Sequence, residues 1–141
     1  YALPDGKPLG ALAFPEGEVH ALRFSRDGKL LLAAGGVGGQ SGAVVGYAVG
    51  TWKREFAVAD AGDAVLAADV SADKTRVVFG GPGRTVKVAS VPDGKVIHTF
   101  RKPIDWVLSV GFSPEGLLVA AGDRFGGLYV WEAKSGKEFH T

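Results

Sequence analysis

The stretch FSPEG at residues 112–116 occurs twice more in this chain in altered form. FSRDG spans residues 24–28 and VSADK spans residues 70–74, which aligns Ser25, Ser71 and Ser113. The first two serines are 46 residues apart and the last two are 42 residues apart. Internal repeats with this period are typical of proteins built from repeated structural units. The chain is therefore read as three copies of one unit.

Each copy contains four short apolar or alternating segments. The first, VHALRFS at 19–25 in the first copy, and the second, KLLLAAG at 29–35, are dense in Val and Leu, as in strands buried on both sides. The third, AVVGYAV at 43–49, alternates more clearly, and the fourth, TWKREF at 51–56, is the most polar. The pattern predicts an all-β fold of four-stranded units in which burial falls from the first strand to the fourth.

The register of these units resembles that of the WD-repeat β-propeller family. VLSVGFSPEG at 107–116 approximates the register V-x-x-V-x-F-S-P-D-G, and it is followed by an apolar strand that ends in Gly and by a strand that ends in an aromatic residue, Trp131. The resemblance implies a β-propeller segment of three four-stranded antiparallel blades, at residues 18–57, 64–100 and 106–141. In such a ring the first strand of each blade lies at the axis and the fourth at the rim.

The signature residues of the family are mostly absent. No Gly-His pair precedes a first strand, and other residues occupy the slot of the turn Asp, namely Ser41, Gly83 and Phe125. Only Trp131 and Glu132 approximate the Trp-Asp pair. We therefore expect the buried His, Asp, Ser and Trp hydrogen-bond network of the family to be missing, with aliphatic packing in its place.

The first residues resemble the end of a blade. YALPDGKPLGAL at 1–12 is similar to ASVPDGKVIHTF at 89–100, so residues 1–14 are predicted to form the outer strand of a preceding blade. Closed propellers typically have about four to eight blades. Three blades alone would leave two apolar blade faces exposed, and such faces mark interaction sites.

Self-association is the first hypothesis for covering these faces. Two chains would close a ring of six blades and three chains a ring of nine, through head-to-tail contacts. The outer strand at the start of one chain, with Lys7, Leu9 and Leu12, would then compete with Lys137 and Phe139 of its neighbour for the edge of the last blade. The alternative is that the sequence, which starts at Tyr1 without Met, is a fragment of a longer single-chain propeller.

Composition argues against several classes of partner. The 141 residues carry a net charge of +1 with scattered charges, which gives no electrostatic footprint for nucleic acid or for a membrane. The chain has no Cys, so disulfides and thiolate sites are excluded. No leader or spanning segment is visible in the sequence, and the compartment stays unassigned.

The sequence offers little catalytic chemistry. His98 and His140 share one register on rim strands, where successive blades diverge, so a shared metal site is not expected. Glycine-rich GGVGGQSG at 35–42 lacks the Lys-Ser or Lys-Thr of a phosphate loop. We predict no enzyme activity, cofactor or metal. The remaining alternative is a ligand-binding or catalytic site in the central channel, near His20.

Loops between second and third strands, and between successive blades, differ in sequence from copy to copy and lie on one face of the disc. Variable loops on a rigid scaffold are typical binding surfaces, on which Arg and aromatic residues serve as anchors. This face is predicted to contact other proteins or peptides through seven residues: Gln40, Arg84, Lys102, Asp105, Trp106, Arg124 and Phe125. Packing of Trp106 and Phe125 between adjacent blades is the alternative.

Overall fold

The computed structural model describes residues 11–91 and 93–140, and within these ranges the chain forms strands and turns only. The described residues contain twelve strands: β1 (Glu18–Phe24), β2 (Leu30–Val37), β3 (Ser41–Ala48), β4 (Arg54–Ala61), β5 (Ala67–Val70), β6 (Arg76–Gly80), β7 (Val86–Ser90), β8 (Val96–Phe100), β9 (Val107–Phe112), β10 (Leu118–Asp123), β11 (Leu128–Glu132) and β12 (Glu138–His140).

These strands form three antiparallel sheets, each made of four consecutive strands in chain order. We call them blade 1 (β1–β4), blade 2 (β5–β8) and blade 3 (β9–β12). The predicted all-β class with three four-stranded antiparallel sheets is confirmed. β4 continues to Ala61, past the predicted end at Phe56, because it pairs with β3 as far as Ser41. The predicted additional strand lies mainly on residues 1–10, which are outside the described residues.

The repeated serine closes the turn between the first and second strands of each blade. Ser25 Oγ accepts a hydrogen bond from the backbone N–H of Leu30 at 3.0 Å and donates one to Asp27 Oδ1 at 2.7 Å. Ser71 and Ser113 accept equivalent bonds from the second strands of their own blades. The motif that reveals the repeat is therefore a turn whose polar groups are satisfied locally.

Each pair of neighbouring blades shares one apolar core. Leu32 and Val44 of blade 1 pack in one cluster with Val65 and Phe79 of blade 2. A second cluster joins blade 2 to blade 3 in the same way. Because side chains alternate across a strand, each blade has a forward face toward the next blade and a rear face toward the preceding one. The forward face of blade 1 includes Leu32 and Val44, and the rear face of blade 2 includes Val65 and Phe79.

Both junctions also contain a direct backbone hydrogen bond. The Val65 N–H donates to the Gly35 carbonyl at 3.0 Å, and the Val107 N–H donates to the Gly81 carbonyl at 3.0 Å. The two donors occupy one repeat position, and so do the two acceptors. The two junctions are thus built alike, although their side chains differ.

The expected fall in burial from first to fourth strand is wrong for blade 1. Six of the seven residues of β1 are exposed, whereas three of the four residues of β5 are buried. β5 lies between two blades, while no blade lies behind the rear face of blade 1 among the described residues. Burial therefore depends on the position of a blade in the chain as well as on the position of a strand in its blade.

Candidate interaction site

The rear face of blade 1 carries large apolar side chains that are open to solvent. Leu22 and Phe24 are 62% and 61% exposed, respectively. The residues at the same repeat positions in blade 2, Ala68 and Val70, are buried under blade 1. The rear face of blade 1 thus carries apolar side chains like the rear faces of blades 2 and 3. No described residue of a further blade covers it.

These side chains form one side of an apolar groove of about 600 Å³. Its other side is the segment from Ala11 to Gly17, which runs along the blade. Phe14 packs against the core of the rear face, and the Tyr47 hydroxyl donates to the Ala13 carbonyl at 2.7 Å. The groove is lined by residues of both parts, including Leu12, Val19, Leu22, Phe24, Leu31 and Tyr47.

An ion pair holds the far end of this segment. Arg54, on β4, has its Nη2 atom 2.5 Å from Glu16 Oε2. The hydrogen bond from Arg54 lowers the pKa of Glu16 below its usual value, against the opposing effect of burial. The segment from Ala11 to Gly17 is thus attached to blade 1 at three points, by Tyr47, by Phe14 and by Arg54.

The forward face of blade 3 is uncovered in the same way. Val44, Val86 and Leu128 occupy one repeat position on the third strand. Val44 and Val86 are both 0% exposed because the next blade covers them, whereas Leu128 is 69% exposed. Within the described ranges, the rear face of blade 1 and the forward face of blade 3 are therefore both unoccupied.

Blade 3 contains a buried carboxylate that the repeat pattern did not predict. Asp123, two residues before the expected slot at Phe125, accepts hydrogen bonds from the Tyr129 hydroxyl at 2.8 Å and from the Gly127 N–H at 2.7 Å. It also accepts from the N–H groups of Phe125 and Ile104. Asp123 thereby ties the turn between β10 and β11 to the loop that precedes β9.

The environment of Asp123 shifts two pKa values in opposite directions. Burial acts to raise the pKa of Asp123, but hydrogen bonds from Gly127, Tyr129 and two further N–H groups favour the carboxylate, and the net pKa is lowered. The same hydrogen bond raises the pKa of Tyr129. At neutral pH the pair is a carboxylate and a phenol, which is the form that this hydrogen bond requires.

Three of the seven predicted contact residues come together on the loop side of blade 3. Arg124 Nη2 lies 3.0 Å from Asp105 Oδ1, and its guanidinium carbon lies 4.2 Å from the centroid of the Trp106 ring. The backbone N–H of Arg124 also donates to the Trp106 carbonyl. The hydrogen bond from the Trp106 N–H is the main cause of the lowered pKa of Asp105.

The other four predicted contact residues are placed differently. Arg84 has a left-handed backbone with φ of 62° and is near enough to Asp105 to lower its pKa. Phe125 is 74% exposed, so it does not pack between blades. Lys102 Nζ lies 3.7 Å from Glu138 Oε1. Gln40 belongs to the turn between β2 and β3 of blade 1, separate from the Arg124 cluster.

The predicted ring-closure residues fall partly outside the described residues. Lys7 and Leu9 lie outside them, and nothing is described of the Phe139 side chain. Leu12 is partly exposed and lines the groove on blade 1. Lys137 immediately precedes β12, which pairs with β11 of its own blade.

The histidines show no convergent arrangement in the described part of the chain. His98 Nε2 lies 3.0 Å from the Lys134 carbonyl oxygen, so this side chain links blade 2 to blade 3. His20 Nε2 lies 4.0 Å from Glu18 Oε2, and 31% of the His20 side chain is exposed. Among residues 11–91 and 93–140 no group of three or more His, Asp or Glu side chains is placed to hold a metal ion. The same residues contain no helix that could cross a membrane.

Sequence reasoning missed two carboxylates that connect parts of the fold. One is Asp123, and the other is Asp69 of β5. Asp69 Oδ2 accepts a hydrogen bond from the Phe112 N–H of blade 3 at 2.9 Å. Asp69 Oδ1 lies 3.9 Å from Arg23 Nε of blade 1. Nothing in the local sequence distinguishes Asp69. The exposed Leu128, by contrast, could have been found by alignment with Val44 and Val86.

Comparison with known proteins supports the repeat assignment. Residues 94–132 match the sequence model of the WD40 repeat (WD domain, G-beta repeat). Two similar solved structures are titled "Crystal structure of RRP9 WD40 repeats" and "Structure of U3-55K". Each has 13% sequence identity and a TM-score of 0.74 over 86% of this chain. The matched region covers only 37% of the first structure and 38% of the second. The resemblance predicted from sequence is confirmed, and at this identity the structural likeness concerns the fold.

Proposed function

We propose, because this chain carries a WD40 repeat and has the fold of WD40-repeat proteins, that it is a noncatalytic β-propeller scaffold that associates with copies of itself. WD40-repeat proteins generally serve as platforms for protein assembly. The two solved structures contain far more chain than the three blades described here. Completion of the ring by further copies is the proposed role of the two open faces.

The observation that carries this proposal is the pair of uncovered blade faces at opposite ends of the segment. Leu22 and Phe24 at one end and Leu128 at the other are exposed, although blade packing buries their counterparts elsewhere in the chain. Exposed apolar faces of this kind favour association, because burial removes apolar surface from water. Two chains would supply six blades and three chains nine.

Native mass spectrometry combined with sedimentation equilibrium of the 141-residue chain tests this proposal. A dimer or a trimer at micromolar concentration supports it and also gives the blade number. A stable monomer across the concentration range would overturn it. That outcome would favour the alternative in which further blades of a longer single-chain propeller cover the two faces.

The loop side of blade 3 is proposed as a second surface, for other proteins or peptides. Arg124 held over Trp106, with exposed Phe125 next in sequence, presents a cation and two aromatic rings on a rigid blade. Such residues are frequent interface anchors. Affinity capture with the wild-type chain, compared with the Trp106→Ala and Phe125→Ala variants, tests this surface. A partner retained equally by all three chains would place its site elsewhere.

A ligand-binding or catalytic site in the central channel is the remaining alternative. His20, the residue on which it would depend, is placed only beside Glu18. A thermal-shift screen against small molecules would support the alternative if a hit were lost in the His20→Ala variant. We propose no enzymatic activity for this chain.

A further inference from the structure

We infer that the groove on the rear face of blade 1 receives the forward face of blade 3 of a second copy, in the register already used inside the chain. This inference rests on the proposed self-association and adds to it which surfaces meet and in which alignment. It makes Leu128 of one copy the anchor that enters the groove beside Leu22 and Phe24 of the next.

The same contact between blades already occurs twice within the chain. A forward face meets a rear face at the junction of blades 1 and 2 and again at the junction of blades 2 and 3. Both junctions bury the third-strand position that Leu128 occupies in blade 3, and both include the same backbone hydrogen bond. A head-to-tail contact between copies would continue an interface that is already established.

Side-chain volumes also compensate across the junctions between blades. Leu32 on the forward face of blade 1 shares a core with Ala68 on the rear face of blade 2. At the same two repeat positions, Val78 shares a core with Val110 at the next junction. The open faces carry Ala120 and Leu22 at these positions. Leu is thus matched with Ala and Val with Val, so the total volume stays nearly constant, which packed cores require.

Residues outside the contact supply a matched control. Leu117 is 65% exposed, close to the 69% of Leu128, and lies on the same blade. Its repeat position holds Lys29 in blade 1, and Lys29 remains exposed even though blade 2 covers the forward face there. If a second copy docks on blade 3 as blade 2 docks on blade 1, Leu128 becomes buried and Leu117 stays in solvent. Nonspecific apolar association would bury both side chains.

The experiment compares Leu128→Asp, Leu22→Asp and Leu117→Asp by sedimentation equilibrium. Since all three side chains are largely exposed in the single chain, unchanged circular dichroism and urea midpoints are expected to verify folding. Leu128→Asp and Leu22→Asp should each raise the dissociation constant about tenfold or more, as at an interface anchor. Leu117→Asp should retain the assembly of the wild-type chain.

Mixing the two impaired variants tests the head-to-tail arrangement. The Leu22→Asp chain keeps an intact forward face, and the Leu128→Asp chain keeps an intact rear face. Their equimolar mixture should form a heterodimer through one intact junction, more tightly than either variant associates with itself. If each face bound the same face of another copy, mixing the two variants would not strengthen their association.

The outcomes separate this inference from the proposed function. A monomeric wild-type chain would overturn both. A wild-type oligomer that persists in Leu128→Asp, that is lost equally in Leu117→Asp, or that is not restored by mixing would overturn the register inferred here. Self-association itself would stand in those three cases.

Discussion

Trp131 of blade 3 stacks on Phe100 of blade 2, with ring centroids 4.3 Å apart and ring planes 9° from parallel. Both side chains are buried in the core that joins these two blades. In blade 1 the repeat position of Trp131 holds Tyr47, which faces the uncovered groove. The aromatic residue that ends the third strand therefore lies on the rear face of its blade in both places.

Removing the Trp131 ring should destabilise the chain strongly. Trp131→Ala leaves a cavity in the core between blades 2 and 3 and takes the stacking partner from Phe100, so we expect a loss of about 3–5 kcal/mol in the free energy of unfolding. Urea denaturation followed by circular dichroism measures the loss. Phe125→Ala, at an exposed ring, should change stability by no more than about 0.5 kcal/mol. Similar losses in the two variants would contradict this account of the junction.

Asp123 should make the stability of blade 3 depend on pH. Its pKa is lowered in the folded chain, so its contribution is fully present above the unfolded pKa of about 4 and disappears as the pH falls through the folded value. The urea midpoint of the wild-type chain should therefore fall more steeply below pH 4 than that of Asp123→Asn. Parallel pH profiles for the two chains would show that Asp123 is not responsible.

Gly35 should tolerate no side chain. A Cβ at this position would lie 1.7 Å from the carbonyl oxygen of Glu18, on the paired strand β1. Gly35→Ala would push β1 and β2 apart, at a cost of about 1–3 kcal/mol or more. Gly38→Ala is the control, since a Cβ there meets no atom within 4 Å. Thermal unfolding of both variants tests the expectation, which fails if Gly35→Ala melts like Gly38→Ala.

Tyr47 should hold the segment from Ala11 to Gly17 against blade 1. Tyr47→Phe keeps the ring and removes the hydrogen bond to the Ala13 carbonyl, which should lower the local opening free energy by about 1 kcal/mol. Hydrogen–deuterium exchange of this segment should accelerate about fivefold. Tyr129→Phe, which removes a hydroxyl bonded to Asp123 instead, should leave exchange in the segment unchanged. Equal acceleration in both variants would indicate general destabilisation.

The amino-acid sequence by itself determined the repeat, the all-β class and the four-stranded units. These follow from local information: the serine turn repeats in every copy, and each strand carries its own apolar pattern. The same register also placed Leu128 in line with Val44 and Val86, so one residue of the candidate site was accessible to sequence reasoning.

Tertiary structure alone decided which of these apolar residues are covered. Burial of Val86 and exposure of Leu128 result from the presence or absence of a following blade, which no single repeat encodes. The role of Asp69 depends on the Phe112 N–H of blade 3 and on Arg23 of blade 1, which meet it only after the blades have packed. Local patterns specify a blade because its hydrogen bonds are internal, whereas a junction is specified only when two separate surfaces come together.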